Sequence, residues 1–316
     1  MGYEARVLCD SATARGERLV TFEVTFPRII LSEFNTHCML SRNSASSRAV
    51  PVKKKLLDVL SDPFIPTEYG VNRSGMSAEV MLRGDRLIEA TSAWLRARDR
   101  AVWGALELVF GIDAMRRFAD EQVSADLVER LFSVPPERRR LNVHKQVVNR
   151  LIEPFMFQTV ITTATEWSNF FALRTSGNAQ PEIRQAATLM LEALAASRPE
   201  SLGAGEWHTP LVQPDELTAA REDPARWILV SAGRCARVSY LTHHGKRSPE
   251  ADIELAERLL NDGHLSPFEH VARAMSDAEA THSLTAGKLR GWTPYRSLIP
   301  MEHDYSLVLQ AKKQRA

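Results

Sequence analysis

Short polar side chains and arginines are concentrated between residues 41 and 48. These eight positions hold five hydroxyl or amide side chains and two arginines: Ser41, Arg42, Asn43, Ser44, Ser46, Ser47 and Arg48. Short donors can approach an anion closely, and a guanidinium can bind two phosphate oxygens because its N–H groups match their geometry. This composition predicts a site for a nucleotide phosphate. A solvated serine-rich loop has the same composition, so composition alone leaves both interpretations open.

A second polar cluster lies in residues 264–270. It contains two histidines, a serine and a carboxylate: His264, Ser266, Glu269 and His270. Such side chains bind metals, but the spacing is not that of a helical zinc site, and Pro267 would interrupt the helix face that such a site uses. We therefore predict no metal site. His264 follows Gly263, so capping a helix C terminus is the alternative to a role in catalysis. Glu269 and His270 are expected to form an internal hydrogen-bonded pair.

Length, charge and cysteine content restrict the function classes. The chain has 316 residues, 44% of them hydrophobic, which is enough to bury a core as one large domain or two smaller ones. A net charge of +1 argues against a surface that binds nucleic acid or membranes electrostatically. Cys9, Cys38 and Cys235 form no ligand pattern and fit reduced thiols in a cytoplasmic protein. We expect Cys38 to be a small buried apolar residue rather than a nucleophile.

No segment has the pattern of an export signal or of a membrane span. The N terminus has no apolar stretch of the signal-peptide type, and no run approaches the roughly 18 apolar residues that a membrane helix needs. A cytoplasmic location without a membrane partner is therefore predicted.

Hydrophobic periodicity predicts the elements that position these residues. Residues 18–26 alternate between apolar and polar side chains, which predicts a strand with one buried face. Residues 28–34 are predicted to be helical and lead into the serine- and arginine-rich segment, which should therefore lie at a helix terminus or in the following loop. Residues 52–132 are predicted to be mainly helical, with the longest helix over residues 76–110 and Gly111 at its end.

The second half of the chain is predicted to contain three further helices. Residues 144–174 have the apolar pattern of one long buried helix. The next helix begins near Pro181, because proline is tolerated in a first turn. An amphipathic helix covers residues 249–262 and ends at Gly263.

Three segments together resemble the flavin-dependent thymidylate synthase family. The family signature, Arg-His-Arg-x-x-Ser-x-Asn-x-x-Ser-x-Arg, is similar to residues 36–48, which keep the residues His37, Ser41, Asn43, Ser46 and Arg48. Residues 236–240 and 263–270 resemble segments that ordinarily precede the signature. Arg174 and residues 179–184 resemble a third conserved block. Here residues 236–240 and 263–270 follow the signature instead of preceding it. The resemblance therefore implies a circularly permuted member of the family.

The resemblance implies transfer of a one-carbon unit from methylenetetrahydrofolate to C5 of a uridylate (UMP or dUMP), with FAD as cofactor and NAD(P)H as reductant. It implies that Arg184 and His264 are catalytic, since a guanidinium at N3 and O4 of the pyrimidine favours the ionised ring. The nucleotide would contact Glu33, Ser44, Ser46, Ser47, Arg48 and Arg184. The flavin would contact Thr36, His37, Cys38, Arg174, Asn178 and Ser266. The alternative for Arg184 is a structural ion pair with Glu182 or another carboxylate.

The chain also departs from the family signature. Thr36 and Cys38 replace both arginines that flank the signature histidine. Contacts to the flavin phosphates would then come from another set of cations: Lys145, Arg150 or Arg296. Ser44 and Ala49 replace a glutamate and an aromatic residue, which leaves room around the sugar. We therefore hypothesise that UMP is accepted as well as dUMP, as in polyoxin-type nucleoside antibiotic pathways. A strict dUMP enzyme, a hydroxymethyltransferase and a non-catalytic flavin- or nucleotide-binding relative are the alternatives.

The predicted fold class is α/β (α+β). A twisted, mostly antiparallel sheet would carry residues 18–26 and be covered by the long helices of residues 144–197 and 250–262. Residues 1–51 would supply the strand and the signature, residues 52–143 a helical insertion, and residues 144–316 the rest of one catalytic domain. The resemblance implies a homotetramer with active sites shared between subunits.

Overall fold

A five-stranded sheet forms the centre of the computed structural model, which describes residues 2–74, 78, 80–240, 248–282, 288–304, 306–307 and 309–310. Its strands are β1 (Glu4–Thr13), β2 (Arg18–Pro27), β3 (Ser41–Ser44), β4 (Phe157–Ala164) and β5 (Glu200–Leu202), in the order β3-β4-β2-β1-β5. The pairings are antiparallel except for the parallel pair β1 and β5. The predicted mixed fold with a mostly antiparallel sheet is confirmed.

Helices surround this sheet. In chain order they are α1 (Leu31–Asn35), α2 (Val52–Ser61), α3 (Asp85–Phe110), α4 (Ile112–Met115), α5 (Ala125–Phe132), α6 (Lys145–Val148), α7 (Ser168–Arg174), α8 (Pro181–Ala196), α9 (Leu217–Glu222), α10 (Pro224–Ala236), α11 (Pro249–Asp262) and α12 (Asp277–His282). A smaller sheet contains β6 (Trp207–His208), β7 (Ala272–Ala274) and β8 (Trp292–Pro294). No helix in the described ranges is both long and apolar enough to span a membrane.

Several predicted boundaries are confirmed. Helix α8 begins with Pro181 in its first turn, and α11 ends where Gly263 adopts a positive φ of 71°. The helix predicted over residues 76–110 is α3, which runs from Asp85 to the predicted end before Gly111. Its predicted start at Met76 lies outside the described residues, but residues 80–84 are described and are not helical, so the helix begins later than predicted.

The long helix predicted over residues 144–174 is wrong. This range holds α6, a 3-10 helix (Asn149–Phe155), strand β4 and helix α7. Strand β4 is buried on both faces, so it lacks the alternation that marks a half-buried strand, and a short apolar run of this kind is not distinguishable from a buried helix by periodicity.

Strand β2 is also buried on both faces, which corrects the prediction of one buried face. Phe22 and Phe26 belong to the main hydrophobic core, and Thr21 and Thr25 on the opposite face are buried as well. The hydroxyls of these threonines are satisfied by Thr163 at 2.7 Å and Thr159 at 3.0 Å on β4. The threonine face of β2 can be buried because each hydroxyl is hydrogen-bonded to a hydroxyl on the adjacent strand.

Residues 52–143 contain helices α2 to α5 and have an apolar cluster distinct from the main core. It includes Leu56, Val102, Leu106 and Leu127, and it continues into Ile152 beyond the predicted insertion. The segment that leads into β4 therefore joins this helical region to the sheet. The division into residues 1–51, 52–143 and 144–316 stays a prediction.

The layer formed by α10 and α11 is held by close backbone approach and buried charge. A Cβ at Gly233 would lie 2.2 Å from the carbonyl oxygen of Asp252, so only glycine allows this helix contact. Arg234 donates to Asp252 at 2.9 Å and pairs with Glu216, and Arg237 donates to the other oxygen of Asp252 at 2.6 Å. Helix α11 therefore packs mainly on α10. This corrects the prediction that the helix of residues 250–262 covers the sheet directly.

A chain of buried polar side chains links the five-stranded sheet to His208 on β6 and to His270, which follows a 3-10 helix (Ser266–Glu269) after α11. His208 is hydrogen-bonded to Ser11 at 2.9 Å and to Thr21 at 2.8 Å, and Thr163 is hydrogen-bonded to His270 at 2.8 Å. Burial lowers the pKa of both imidazoles to about 3. Both rings are therefore neutral in the folded protein at ordinary pH.

We expect this arrangement to make stability depend on pH. In the unfolded chain both histidines bind protons near pH 6.5, but in the folded chain they do so only near pH 3. Their contribution is complete above pH 6.5 and is lost as the pH falls towards 3, at about 1.4 kcal/mol per pH unit for each histidine. Urea unfolding at pH 7, 6 and 5 should show this loss. His270→Gln should reduce the slope, whereas substitution of the exposed His303 by Gln should not, and an unchanged slope in His270→Gln would contradict the assignment.

Candidate functional site

The signature-like segment of residues 36–48 is divided between a turn, a strand and a loop. Ser41 pairs with Thr163 and Ser44 with Val160, so β3 is an edge strand against β4. The predicted position at a helix terminus or in a loop therefore applies only to residues 36–40 and 45–48, on either side of the strand. A strand directs alternate side chains to opposite faces, which buries Ser41 and Asn43 and leaves Arg42 half-buried.

Three of the predicted site residues converge next to this strand. Arg174, the last residue of α7, donates from Nε to Nε2 of His37 at 2.8 Å, and its Nη1 pairs with the carboxylate of Glu33. The imidazole of His37 also meets the ring of Phe170 edge-on, with 5.0 Å between centroids. The resemblance had assigned Glu33 to the nucleotide and the other two residues to the flavin.

The electrostatics of His37 follow from these contacts. Because Nε2 accepts a hydrogen bond from a guanidinium, the ring is neutral and carries its proton on Nδ1. Burial lowers the pKa of His37, and the nearby charges of Arg174 and Arg42 lower it further. The positive charge of the cluster is therefore carried by arginines, which suits an anionic ligand.

Arg42 lies beside the positions where the signature arginines are missing. Its Nη1 donates to the carbonyl oxygen of His37 at 2.8 Å. Thr36 is exposed and its hydroxyl donates to the carbonyl oxygen of Glu33 at 2.7 Å. Cys38 is exposed too, so the predicted buried position is wrong. The turn after α1 places Leu40 rather than Cys38 in the core.

The cations predicted to replace the missing arginines have protein partners. Lys145 donates to the carbonyl oxygen of Ala49 at 2.9 Å. Arg150 pairs with Glu153, and Arg296 pairs with Glu269 and Glu302. Arg42 and Arg174 both contact His37 in the signature turn and are therefore better placed than these three cations. The resemblance assigned Arg174 to the flavin, and composition assigned Arg42 to the phosphate-binding segment.

The loop after β3 presents part of the predicted phosphate site. Ser46 Oγ accepts a hydrogen bond from the backbone N–H of Arg48 at 3.2 Å, and the Arg48 side chain is exposed. Ser47 is buried, and its carbonyl oxygen accepts from Asn149 at 2.6 Å. Ser44 is half-buried at the end of β3. The loop is thus anchored to Asn149 through Ser47, while Ser46 and Arg48 remain accessible.

The C-terminal blocks pack against this signature segment. The side-chain amide of Asn43 donates to the carbonyl oxygen of Cys235 at 2.9 Å, and the backbone N–H of Ser46 donates to the carbonyl oxygen of Ser239 at 3.3 Å. Segments far apart in the sequence therefore meet in space, as the resemblance implied.

The polar cluster of residues 264–270 is divided between surface and interior. His264 and Ser266 are exposed, and the backbone N–H of His264 caps α11 by donating to Leu259 O at 2.9 Å. Glu269 and His270 do not form the predicted pair. Glu269 pairs with Arg296 and His270 bonds Thr163, because the last residue of the 3-10 helix and the residue that follows it point to different sides. The described residues contain no group of three metal-ligating side chains.

Arg184 lies in a different environment from His37. In the first turn of α8 it donates to the carbonyl oxygen of Gly177 at 3.1 Å and to the carboxylate of Glu68 at 3.0 Å. Glu182, the partner considered from the sequence, is buried. Asn178 is exposed in the turn before α8. The partners of Arg184 thus lie outside the cluster of Glu33, His37 and Arg174.

Two cavities are relevant to this site. Arg184 lines one of about 300 Å³ with the polar residues Thr67, Glu68, Thr175, Gln185 and Thr188. A cavity of about 520 Å³ lies beside β1 and is lined by residues such as Cys9, Asp10, Trp207 and Arg221, none of which was predicted to bind a ligand. Size alone therefore does not identify the site. Of these two cavities, the smaller one is lined by a predicted site residue, Arg184.

Substitution of Arg174 tests the electrostatics of the His37 cluster. Arg174→Met removes a guanidinium that opposes protonation of the ring, so the pKa of His37 should rise. An NMR titration of the imidazole signals measures this change. Arg150→Met is the matched control, because Arg150 pairs with Glu153 only and should leave His37 unchanged. An unaltered His37 titration in Arg174→Met would show that the contact has no electrostatic role.

Comparison with protein families assigns the chain. The family model for thymidylate synthase complementing protein matches residues 18–200, which is more than half of the 316 residues. The matched region contains β2, the signature segment, α7 and all of α8. A comparison with curated proteins found no match. The family implies a thymidylate synthase-like enzyme with a nucleotide substrate. The chain belongs to the thymidylate synthase complementing protein family.

Proposed function

We propose that the protein is a flavin-dependent enzyme that methylates C5 of a uridylate, UMP or dUMP, with methylenetetrahydrofolate as carbon donor and NAD(P)H as reductant. The observation that carries this proposal is the convergence of Glu33, His37 and Arg174 within the region that matches the family. FAD, when bound, would supply the reducing equivalents that complete the methyl group.

The polar side chains around the signature turn fit such a cofactor chemically. Thr36, Cys38, Asn178 and Ser266 are exposed and offer hydroxyl, thiol and amide groups. Arg174 uses Nε and one Nη1 hydrogen for His37 and Glu33, so other N–H groups of its guanidinium stay available. Together with Arg42, these donors would suit a pyrophosphate and the polar edge of a flavin ring.

The nucleotide would be held at its two ends by different parts of the chain. The accessible residues Ser44, Ser46 and Arg48 would bind its phosphate, and the buried Ser47 supports their loop through Asn149. Arg184 would lie against the pyrimidine. Since Arg184 contacts a cavity that the phosphate loop does not line, we include a homotetramer in which one subunit supplies the loop and another supplies Arg184.

Arg184 would perform the step that makes C5 nucleophilic. A guanidinium at N3 and O4 stabilises negative charge as it develops on the ring. Neither Cys9 nor Cys235 suits addition to the ring, because burial raises the pKa of the Cys9 thiol to about 12 and raises that of Cys235 as well. The exposed His264 would lie near the reacting face or the folate.

The hydrogen bonds from Asn43 to Cys235 and from Ser46 to Ser239 support a circularly permuted arrangement of the family's blocks. Such an order would change chain connectivity and still allow the blocks to meet. Small residues at positions 44 and 49 support the inclusion of UMP. The loss of both signature arginines favours a second candidate, a relative that binds flavin or nucleotide without turnover.

An assay of the purified protein with FAD, methylenetetrahydrofolate and NADPH tests the proposal. We expect the protein to become yellow with FAD, to bleach with NADPH, and to produce a methylated nucleotide detectable by mass spectrometry. Arg184→Met should lower kcat at least about a hundredfold, which corresponds to roughly 3 kcal/mol. The control Arg130→Met, which removes an exposed pair with Glu121 and Asp126 on α5, should remain active.

Each alternative has a distinct outcome in this assay. A hydroxymethylated product would indicate the hydroxymethyltransferase. A preference for dUMP beyond about a thousandfold, near 4 kcal/mol, would exclude a role for UMP. Binding of FAD without bleaching or product would indicate the non-catalytic relative.

A further inference from the structure

A carboxylate of the predicted insertion, residues 52–143, is hydrogen-bonded to Arg184. Glu68 lies in the segment between α2 and α3, and its Oε1 accepts a hydrogen bond from Nη2 of Arg184 at 3.0 Å. The other terminal nitrogen, Nη1, donates to the carbonyl oxygen of Gly177 at 3.1 Å. Two acceptors from different segments therefore hold the two terminal nitrogens of the guanidinium.

This ion pair orients a side chain more than it stabilises the fold. The side chains of Arg184 and Glu68 are 30% and 37% exposed, and exposed pairs of this kind contribute little to stability. A guanidinium has five N–H donors, and within the part of the chain that the structure describes two of those of Arg184 have acceptors. The remaining donors are available to a ligand in the polar cavity of about 300 Å³ that both residues line.

The segment that carries Glu68 is itself well anchored. Phe64 is buried, its backbone N–H donates to Phe155 O at 2.9 Å, and its carbonyl oxygen accepts from the Trp94 indole at 2.8 Å. The carbonyl oxygen of Tyr69 accepts from the backbone N–H of Leu82 at 2.8 Å. Glu68 thus lies between two fixed points rather than on a free loop, which is what a positioning role requires.

We propose that Glu68 is a positioning residue for Arg184 and that the helical region of residues 52–143 thereby completes the uridylate site. This inference rests on the proposed function, in which Arg184 contacts the pyrimidine. Glu68 acts through the arginine: it holds the guanidinium at the edge of the cavity so that the unused N–H groups face the bound base.

Substitutions of Glu68 test this role. Glu68→Ala should weaken dUMP and UMP binding roughly tenfold and lower kcat, because the arginine loses a charged acceptor. Glu68→Gln should recover most of the affinity, since its amide oxygen still accepts from Arg184. FAD affinity and Tm should stay as in the unsubstituted protein. Glu129→Gln is the matched control, because Glu129 pairs with Lys53 elsewhere in the same helical region.

A second measurement does not depend on nucleotide binding. The rate at which phenylglyoxal modifies Arg184, followed by peptide mass spectrometry, should increase in Glu68→Ala and stay near the original rate in Glu68→Gln. Unchanged or tighter uridylate binding by Glu68→Ala would overturn the positioning role. If the unsubstituted protein binds no uridylate while Arg184 becomes more reactive in Glu68→Ala, the proposed function fails and the ion pair alone is established.

Discussion

The antiparallel pairing of β3 with β4 is the constraint on which the candidate site depends. This pairing places the signature strand against β4, which is connected to α7 and hence to Arg174. Through Thr163, the same strand is hydrogen-bonded to His270, which lies after α11 in the C-terminal part of the chain. A strand buried on both faces tolerates no register slip, because a shift by one residue would exchange its two faces. The positions of His37, Arg174 and the C-terminal blocks relative to one another follow from this register.

The sequence predicted the elements that have a clear periodicity or a clear end signal. The strand over residues 18–26 alternates, α8 begins at Pro181, and α11 ends at Gly263. Strand β4 was misread as a helix because burial on both faces removes the alternation that identifies a strand. The same double burial explains why the threonines of β2 are interior although the pattern assigned them to a solvent face.

The candidate site was predictable at the level of segments but not of contacts. The resemblance gathered residues 36–48, 174–184 and 263–270, and the structure shows Arg174 together with Glu33 and His37. The partner of Arg184 was not predictable, because Glu68 lies 116 residues earlier and no local pattern links the two. The exposure of Cys38 was likewise set by a tertiary choice, since Leu40 takes the buried place in the turn. Ion pairs and turn orientations of this kind depend on the complete fold rather than on local sequence.

The central claim is that Arg184 lies against the pyrimidine of a uridylate whose phosphate is bound by residues 46–48. A crystal structure of the protein with FAD and dUMP or UMP measures this directly. The account predicts an Arg184 nitrogen within hydrogen-bond distance of the base, with the phosphate at Ser46 and Arg48 and the flavin beside the ring. A structure with Arg184 far from any base, or a nucleotide bound without contact to residues 46–48, would contradict it.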